Sequence, residues 1–74
     1  MKKAVVVGGS GFIGSHVADC LTSEGYKVTI YDKKKSQWLQ KEQEMGVGEI
    51  GDRERLNDAI AGAKVVYNFA ALAD

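Results

Sequence analysis

Seven residues near the start of the chain, Gly8-Gly9-Ser10-Gly11-Phe12-Ile13-Gly14, restrict its possible folds more than any other stretch. They follow Ala4-Val5-Val6-Val7, a short continuous apolar run of the kind that forms a strand buried on both faces. After them the period changes. Ile13, Val17, Cys20 and Leu21 fall at i, i+4, i+7 and i+8, the apolar stripe of a helix expected over Phe12 to Glu24. Gly25 stands where a glycine ends a helix. A strand that passes through glycines directly into a helix belongs to α/β architectures.

The rest of the chain repeats the alternation. Lys27 to Asp32 has strand composition, with Val28, Ile30 and Tyr31 around Thr29. Ser36 is a candidate cap for a short helix carrying Trp38, Leu39 and Met45, although the apolar spacing there is irregular. Val47-Gly48-Glu49-Ile50 is expected to form a very short third strand. Asp52 reads as an N-cap, Leu56, Ala59 and Ile60 as the inward face of a helix, and Gly62 as its stop. Val65-Val66-Tyr67-Asn68-Phe69-Ala70 is a fourth strand. The order β-α-β-(α)-β-α-β with short connections predicts a parallel sheet with flanking helices.

Composition narrows the function classes. With 45% apolar and 27% charged residues the chain is ordinary globular material, not a disordered one. Its formal net charge of zero provides no electrostatic footprint for nucleic acid or an acidic membrane. No stretch approaches the ~20 apolar residues of a membrane span. The run after Met1-Lys2-Lys3 stops at Gly8, short of the ~7–15 residues of a signal-peptide core. One cysteine cannot form an internal disulfide, which fits a reducing compartment, so the chain reads as soluble and cytoplasmic. No His/Cys/carboxylate spacing suggests a metal. A chain of 74 residues buries only about 60% of its unfolded surface. The expectation is therefore that another copy completes the fold, or that the chain is part of a longer protein.

The glycine loop carries the chemistry. A diphosphate must approach backbone closely and meet the free N–H groups and positive dipole end of a helix, which requires glycine at the approach points. Gly14, one turn into the helix, allows tight packing against the sheet. Two spacings coexist, Gly9-x-Gly11-x-x-Gly14 and Gly8-x-x-Gly11-x-x-Gly14; the second puts a glycine directly after the strand and is preferred. Asp32 ends the second strand, where a carboxylate accepts both hydroxyls of an adenosine ribose and repels a 2′-phosphate, favouring NAD over NADP. Lys33, Lys34 and Lys35 follow at once and read as a solvated loop, the alternative being that one of them softens that repulsion. Ser10 either contacts a phosphate or closes the turn. His16 reads as a boundary residue, Cys20 as buried packing, and Trp38 as a local contact.

These residues resemble the extended short-chain dehydrogenase/reductases, the NAD-dependent epimerase/dehydratase family that acts mostly on nucleotide sugars. Gly8 to His16 resembles the family's opening loop, Gly48-Glu49-Ile50-Gly51-Asp52 its Gly-Asp-Ile/Leu-x-Asp segment, and Val65 to Ala71 its fourth strand with the Ala-Ala ending. The resemblance implies that Gly8, Gly11 and Gly14 form the diphosphate loop, with Phe12 and Ile13 offering backbone N–H groups. It implies that Asp32 holds the adenosine ribose, Glu49 the adenine amino group and Ile50 the face of the ring. Ala70 and Ala71 would let the cofactor pass close to the strand end. Departures are Val7 for a frequent threonine, Glu49 for aspartate and Asn68 for a frequent histidine.

The family's catalytic Tyr-x-x-x-Lys pair has no counterpart here. Tyr31-x-x-x-Lys35 matches only as text, because it lies at a strand end beside the adenosine pocket. No catalytic residue is therefore assigned. The resemblance implies a partial Rossmann fold, strand order 3-2-1-4, with residues 1–74 as the amino-terminal part of the dinucleotide-binding domain. It implies an oxidoreductase or isomerase whose partners are NAD and a nucleotide-sugar substrate. The alternatives are a non-catalytic dinucleotide sensor and a truncated chain without autonomous activity. In this order the fourth strand is an exposed apolar edge, which predicts self-association.

Overall fold

The computed structural model describes residues 2–69, so Ala70 and Ala71 lie outside the described residues. The elements run β1 (Lys3–Val7), α1 (Phe12–Ser23), β2 (Lys27–Asp32), β3 (Glu44–Val47), α2 (Arg53–Ile60) and β4 (Val65–Asn68). All strand pairs are parallel, in the order β3-β2-β1-β4. This is the Rossmann half-sheet expected from the resemblance.

The valine run occupies the position its composition demands. β1 lies between β2 and β4, with Ala4 to Val7 buried. Because strand side chains alternate, Ala4 and Val6 join Ala18 and Leu21 of α1 with Val28 and Ile30 of β2 in one core. Val5, Val7 and Tyr31 form a second core, against Leu56, Ala59 and Ile60 of α2 and against Ala63. The two helices therefore cover opposite faces. At ~25 cal/mol per Å² of apolar surface buried, valines covered on both sides of a sheet are among the most effective stabilisers available to so short a chain.

The face that α1 presents differs from the expected stripe. Gly14, Ser15, Ala18 and Leu21 are buried, whereas Ile13 is 64% exposed and Cys20 is exposed as well. Cys20 is thus a surface thiol and not core packing. The helix is turned by roughly one residue, about 100°. The cause is steric: a Cβ on Gly14 would lie 2.6 Å from the Gly9 Cα and 2.9 Å from the Gly8 carbonyl oxygen. Contact at that distance selects the side of the helix without a side chain, not the side with the largest apolar ones. Gly25 and Gly62 follow the helices at φ +92° and +76°, as the stop signals predicted.

The segment between β2 and β3 corrects two expectations. No helix forms over residues 36–45; Ser36 instead accepts the Trp38 N–H at 3.1 Å in a turn. Gln43, buried, donates to Asp19 Oδ1 and Thr22 Oγ1, both at 3.0 Å, and accepts the Gln40 N–H at 3.0 Å. These bonds fasten an irregular segment to α1, where Leu39 and Met45 pack on the first core. The third strand is Glu44–Val47, not Val47 to Ile50, with Thr29 opposite Glu44 and Asp32 opposite Val47. An edge strand needs one bonded neighbour and one covered face, so the polar Glu44 is tolerated there and the apolar Ile50 is not required.

The contact beneath α1 makes a direct prediction. Gly14→Ala brings a Cβ against backbone that cannot rotate away, and overpacking of this kind costs about 1–3 kcal/mol. A better helix former returns at most ~1 kcal/mol. Gly11 has an ordinary φ of −77° and open space where a Cβ would stand, so Gly11→Ala should leave stability unchanged. Urea unfolding of the two variants should show a lower midpoint for Gly14→Ala only; equal midpoints would refute the close-packing account.

Candidate functional site

Parallel strands deliver their carboxyl ends to one edge of the sheet, and three loops gather there. The glycine loop, residues 32–37 and the turn at residues 48–50 enclose an open cleft of about 410 Å³. That volume lies within the ~300–1,000 Å³ typical of small-molecule sites.

The cleft's first wall is built by Gly8 and Asp32. Gly8 leaves β1 at φ +78°, a left-handed conformation that side chains resist, and its N–H donates to the Tyr31 carbonyl at 2.7 Å. Asp32, half-buried, receives two backbone donors: the Ser10 N–H at 3.0 Å on Oδ2 and the Lys33 N–H at 2.6 Å on Oδ1. The Ser10 hydroxyl donates to the Lys34 carbonyl at 2.6 Å, so Ser10 closes the turn. A carboxylate has about four acceptor positions, which leaves roughly two on Asp32 for a diol.

The two helix starts are treated differently. Asp52 caps α2, accepting the Arg55 N–H at 3.2 Å, and Glu54 adds a further negative charge in the first turn. At α1 the N-cap is Gly11, without a capping side chain, and the first turn has no acid. The first N–H groups of a helix have no partner within it, and with neither cap nor acid the positive end of α1 is not neutralised locally. Gly11 lines the cleft, and among the described residues nothing beyond its own stretch of chain stands within 4 Å of the place a Cβ would take. A missing side chain at Gly11 and the Asp32 carboxylate share one cleft beside the uncapped start of α1, a combination that fits a dinucleotide.

Of the site residues expected from sequence, Gly8, Gly11, Asp32, Glu49 and Ile50 line this cleft. Gly14 sits behind it, buried against Gly9. The side chains of Phe12 and Ile13 are exposed and outside the lining. Phe12 meets His16 edge-on at 4.5 Å between ring centroids and Trp38 at 6.4 Å. Lys33, Lys34 and Lys35, read from sequence as a solvated loop, also line the cleft. Sequence reasoning missed Tyr31, whose buried phenol donates to the Glu49 carbonyl at 2.8 Å. Its place in an apolar strand run marked it as core, and only its hydroxyl signalled more.

Known proteins place these features in context. The model of the NAD dependent epimerase/dehydratase family matches residues 4–74. A UDP-glucose 4-epimerase of Rhizobium meliloti (strain 1021) is 38% identical over 73 residues, covering 92% of this chain and 22% of that protein. A decarboxylating sterol-4-alpha-carboxylate 3-dehydrogenase of Homo sapiens is 30% identical over 70 residues, covering 95% of this chain and 18% of that one. The crystal structure of a Thermus thermophilus UDP-glucose 4-epimerase in complex with NAD superposes with a TM-score of 0.78 at 27% identity, covering 92% of this chain and 24% of the other. The chain spans about a fifth to a quarter of the length of these relatives.

Tyr31 makes stability depend on alkaline pH. Burial raises its phenol above the ordinary value of 10.0, the Asp52 and Glu49 carboxylates push it the same way, and Arg55 opposes them. Above pH 10 the unfolded chain ionises this phenol before the folded one does. Its contribution is therefore complete below that pH and declines as pH rises towards the folded value. In denaturation series from pH 8 to about 11, Tyr31→Phe should lose less stability than the parent chain, while being the weaker of the two at neutral pH for want of one hydrogen bond. Parallel pH profiles would contradict this.

Proposed function

This chain belongs to the NAD dependent epimerase/dehydratase family, and on that premise we propose that it is the amino-terminal, NAD-binding segment of a larger oxidoreductase acting on a nucleotide sugar. The observation that carries the reading is one cleft shared by an uncapped helix N-terminus and a half-buried carboxylate. The N–H groups of Phe12, Ile13 and Gly14 take the diphosphate, which Gly8 and Gly11 admit close to the backbone. Asp32 holds the adenosine ribose diol and disfavours a 2′-phosphate, so NAD is preferred to NADP. Glu49 reads the adenine amino group and Ile50 covers the ring. Ala70 and Ala71 line the path towards the nicotinamide.

When bound, the dinucleotide would supply hydride transfer with a sugar carbon, and the residues of this segment would bind and orient it without proton transfer of their own. The sugar as substrate follows the epimerase relatives, which share more identity with this chain than the sterol enzyme does. Similarity to a sterol enzyme as well as to epimerases supports a role confined to the cofactor. A cytoplasmic location belongs to the same reading, supported by the free, exposed Cys20 thiol. Self-association through β4 completes it. That strand ends the described sheet, with Val66 and Tyr67 exposed.

Calorimetry of the 74-residue chain should show NAD binding more tightly than NADP. Asp32→Ala removes charge-assisted hydrogen bonds worth about 1.5–3 kcal/mol each, so NAD affinity should fall at least about tenfold and the preference over NADP should narrow. Absence of binding heat with either dinucleotide would sink the reading. Sedimentation velocity should find a mass that rises with concentration and returns to monomer in Val66→Lys, whose charge protects the edge. A concentration-independent monomer for the parent chain would remove the self-association.

A further inference from the structure

Tyr31 and Asp32 are neighbours on β2, so their side chains leave opposite faces of the sheet. Asp32 holds the glycine loop on one side of the cleft through the Ser10 N–H. On the other side the turn after β3 carries Glu49 and Ile50, and its ties can be named individually. Gly48 N–H donates to the Asp32 carbonyl at 3.0 Å, and Arg55 Nη1 donates to the Val47 carbonyl at 3.0 Å while Nε pairs with Asp52 at 3.3 Å. The Glu49 carbonyl accepts the Asp52 N–H at 3.1 Å and the Tyr31 hydroxyl at 2.8 Å. The Asp52 bond is internal to the turn. The phenol alone among these ties reaches from the sheet interior to the residue whose side chain faces the cleft.

Gly48 belongs to the same arrangement. A Cβ there would overlap the Tyr31 hydroxyl oxygen and would stand 3.0 Å from Tyr31 Cζ and 3.1 Å from Arg55 Cδ. Tyr31 is 2% exposed and its ring is packed between β1 and α2, so it cannot swing aside as a flexible tail would. The hydroxyl and residue 48 therefore compete for one small volume, and glycine is the residue that concedes it.

We propose that Tyr31 is a positioning residue that sets the adenine-facing wall of the cleft by holding the Glu49 carbonyl, with Gly48 kept side-chain-free to make room for its hydroxyl. The inference rests on the dinucleotide reading of the cleft and adds to it a residue that acts through the Glu49 carbonyl. It ties recognition of the base to the interior of the sheet. The two ends of the ligand site are then placed by one dipeptide, Asp32 for the phosphate loop and Tyr31 for the base.

The test compares NAD with nicotinamide hypoxanthine dinucleotide, which lacks the 6-amino group, on the parent chain, Tyr31→Phe, Gly48→Ala and the double variant. The parent should prefer NAD. Tyr31→Phe keeps the ring in the core, so it should stay folded by circular dichroism while NAD affinity drops about three- to tenfold and the preference for the amino group disappears. Gly48→Ala should show the same loss, and its damage should be smaller when it is combined with Tyr31→Phe, where the hydroxyl is gone. Failure of the parent chain to bind NAD overturns the dinucleotide reading and this role with it. Binding by the parent, with base preference and affinity unchanged in Tyr31→Phe, overturns the positioning role alone, as does strict additivity of the two substitutions.

Discussion

The contact between the first turn of α1 and the end of β1 governs the ligand-facing edge of this molecule. Gly14 rests on Gly9 at a separation that excludes even a methyl group. Gly9 is itself pressed onto Ile30 and Val6, where an added Cβ would lie 2.9 Å from Ile30 Cγ2. This stack sets how far α1 stands from the sheet. A more distant helix would bring larger apolar residues into the core and would move its dipole away from any ligand.

Electrostatics reinforce this arrangement through what each helix does with its own N-terminus. α2 is neutralised locally by Asp52 and Glu54. α1 has neither cap nor acid, and the nearby carboxylate, Asp32, is occupied with backbone donors from Ser10 and Lys33. Asp32 is therefore both a staple for the loop and a group with acceptor positions to spare. The family match runs over residues 4–74, whereas the chain spans about a fifth to a quarter of the length of its relatives.

Much of this is legible in the sequence alone. Ala4 to Val7, Lys27 to Asp32 and Val65 onward read as strands because buried parallel strands carry continuous apolar runs. The caps of the two helices that form also read correctly, since Asp52 accepts from Arg55 and Gly25 and Gly62 take left-handed conformations after their helices, whereas Ser36 caps no helix. The short third strand was displaced, since edge pairing with β2 depends on register and not on local apolarity. The role of Gln43 was invisible, because its partners Asp19 and Thr22 lie on α1, far away along the chain.

By itself the sequence determined the alternation of elements, the site of the glycine loop and the carboxylate at the end of β2, because these follow from local periodicity and from backbone freedom at glycine. Tertiary structure alone decided which face of α1 is buried, where β3 begins, and that the Tyr31 phenol reaches Glu49. Those outcomes depend on distances between segments remote in the chain, where one Cβ too many or one hydroxyl in place decides the packing.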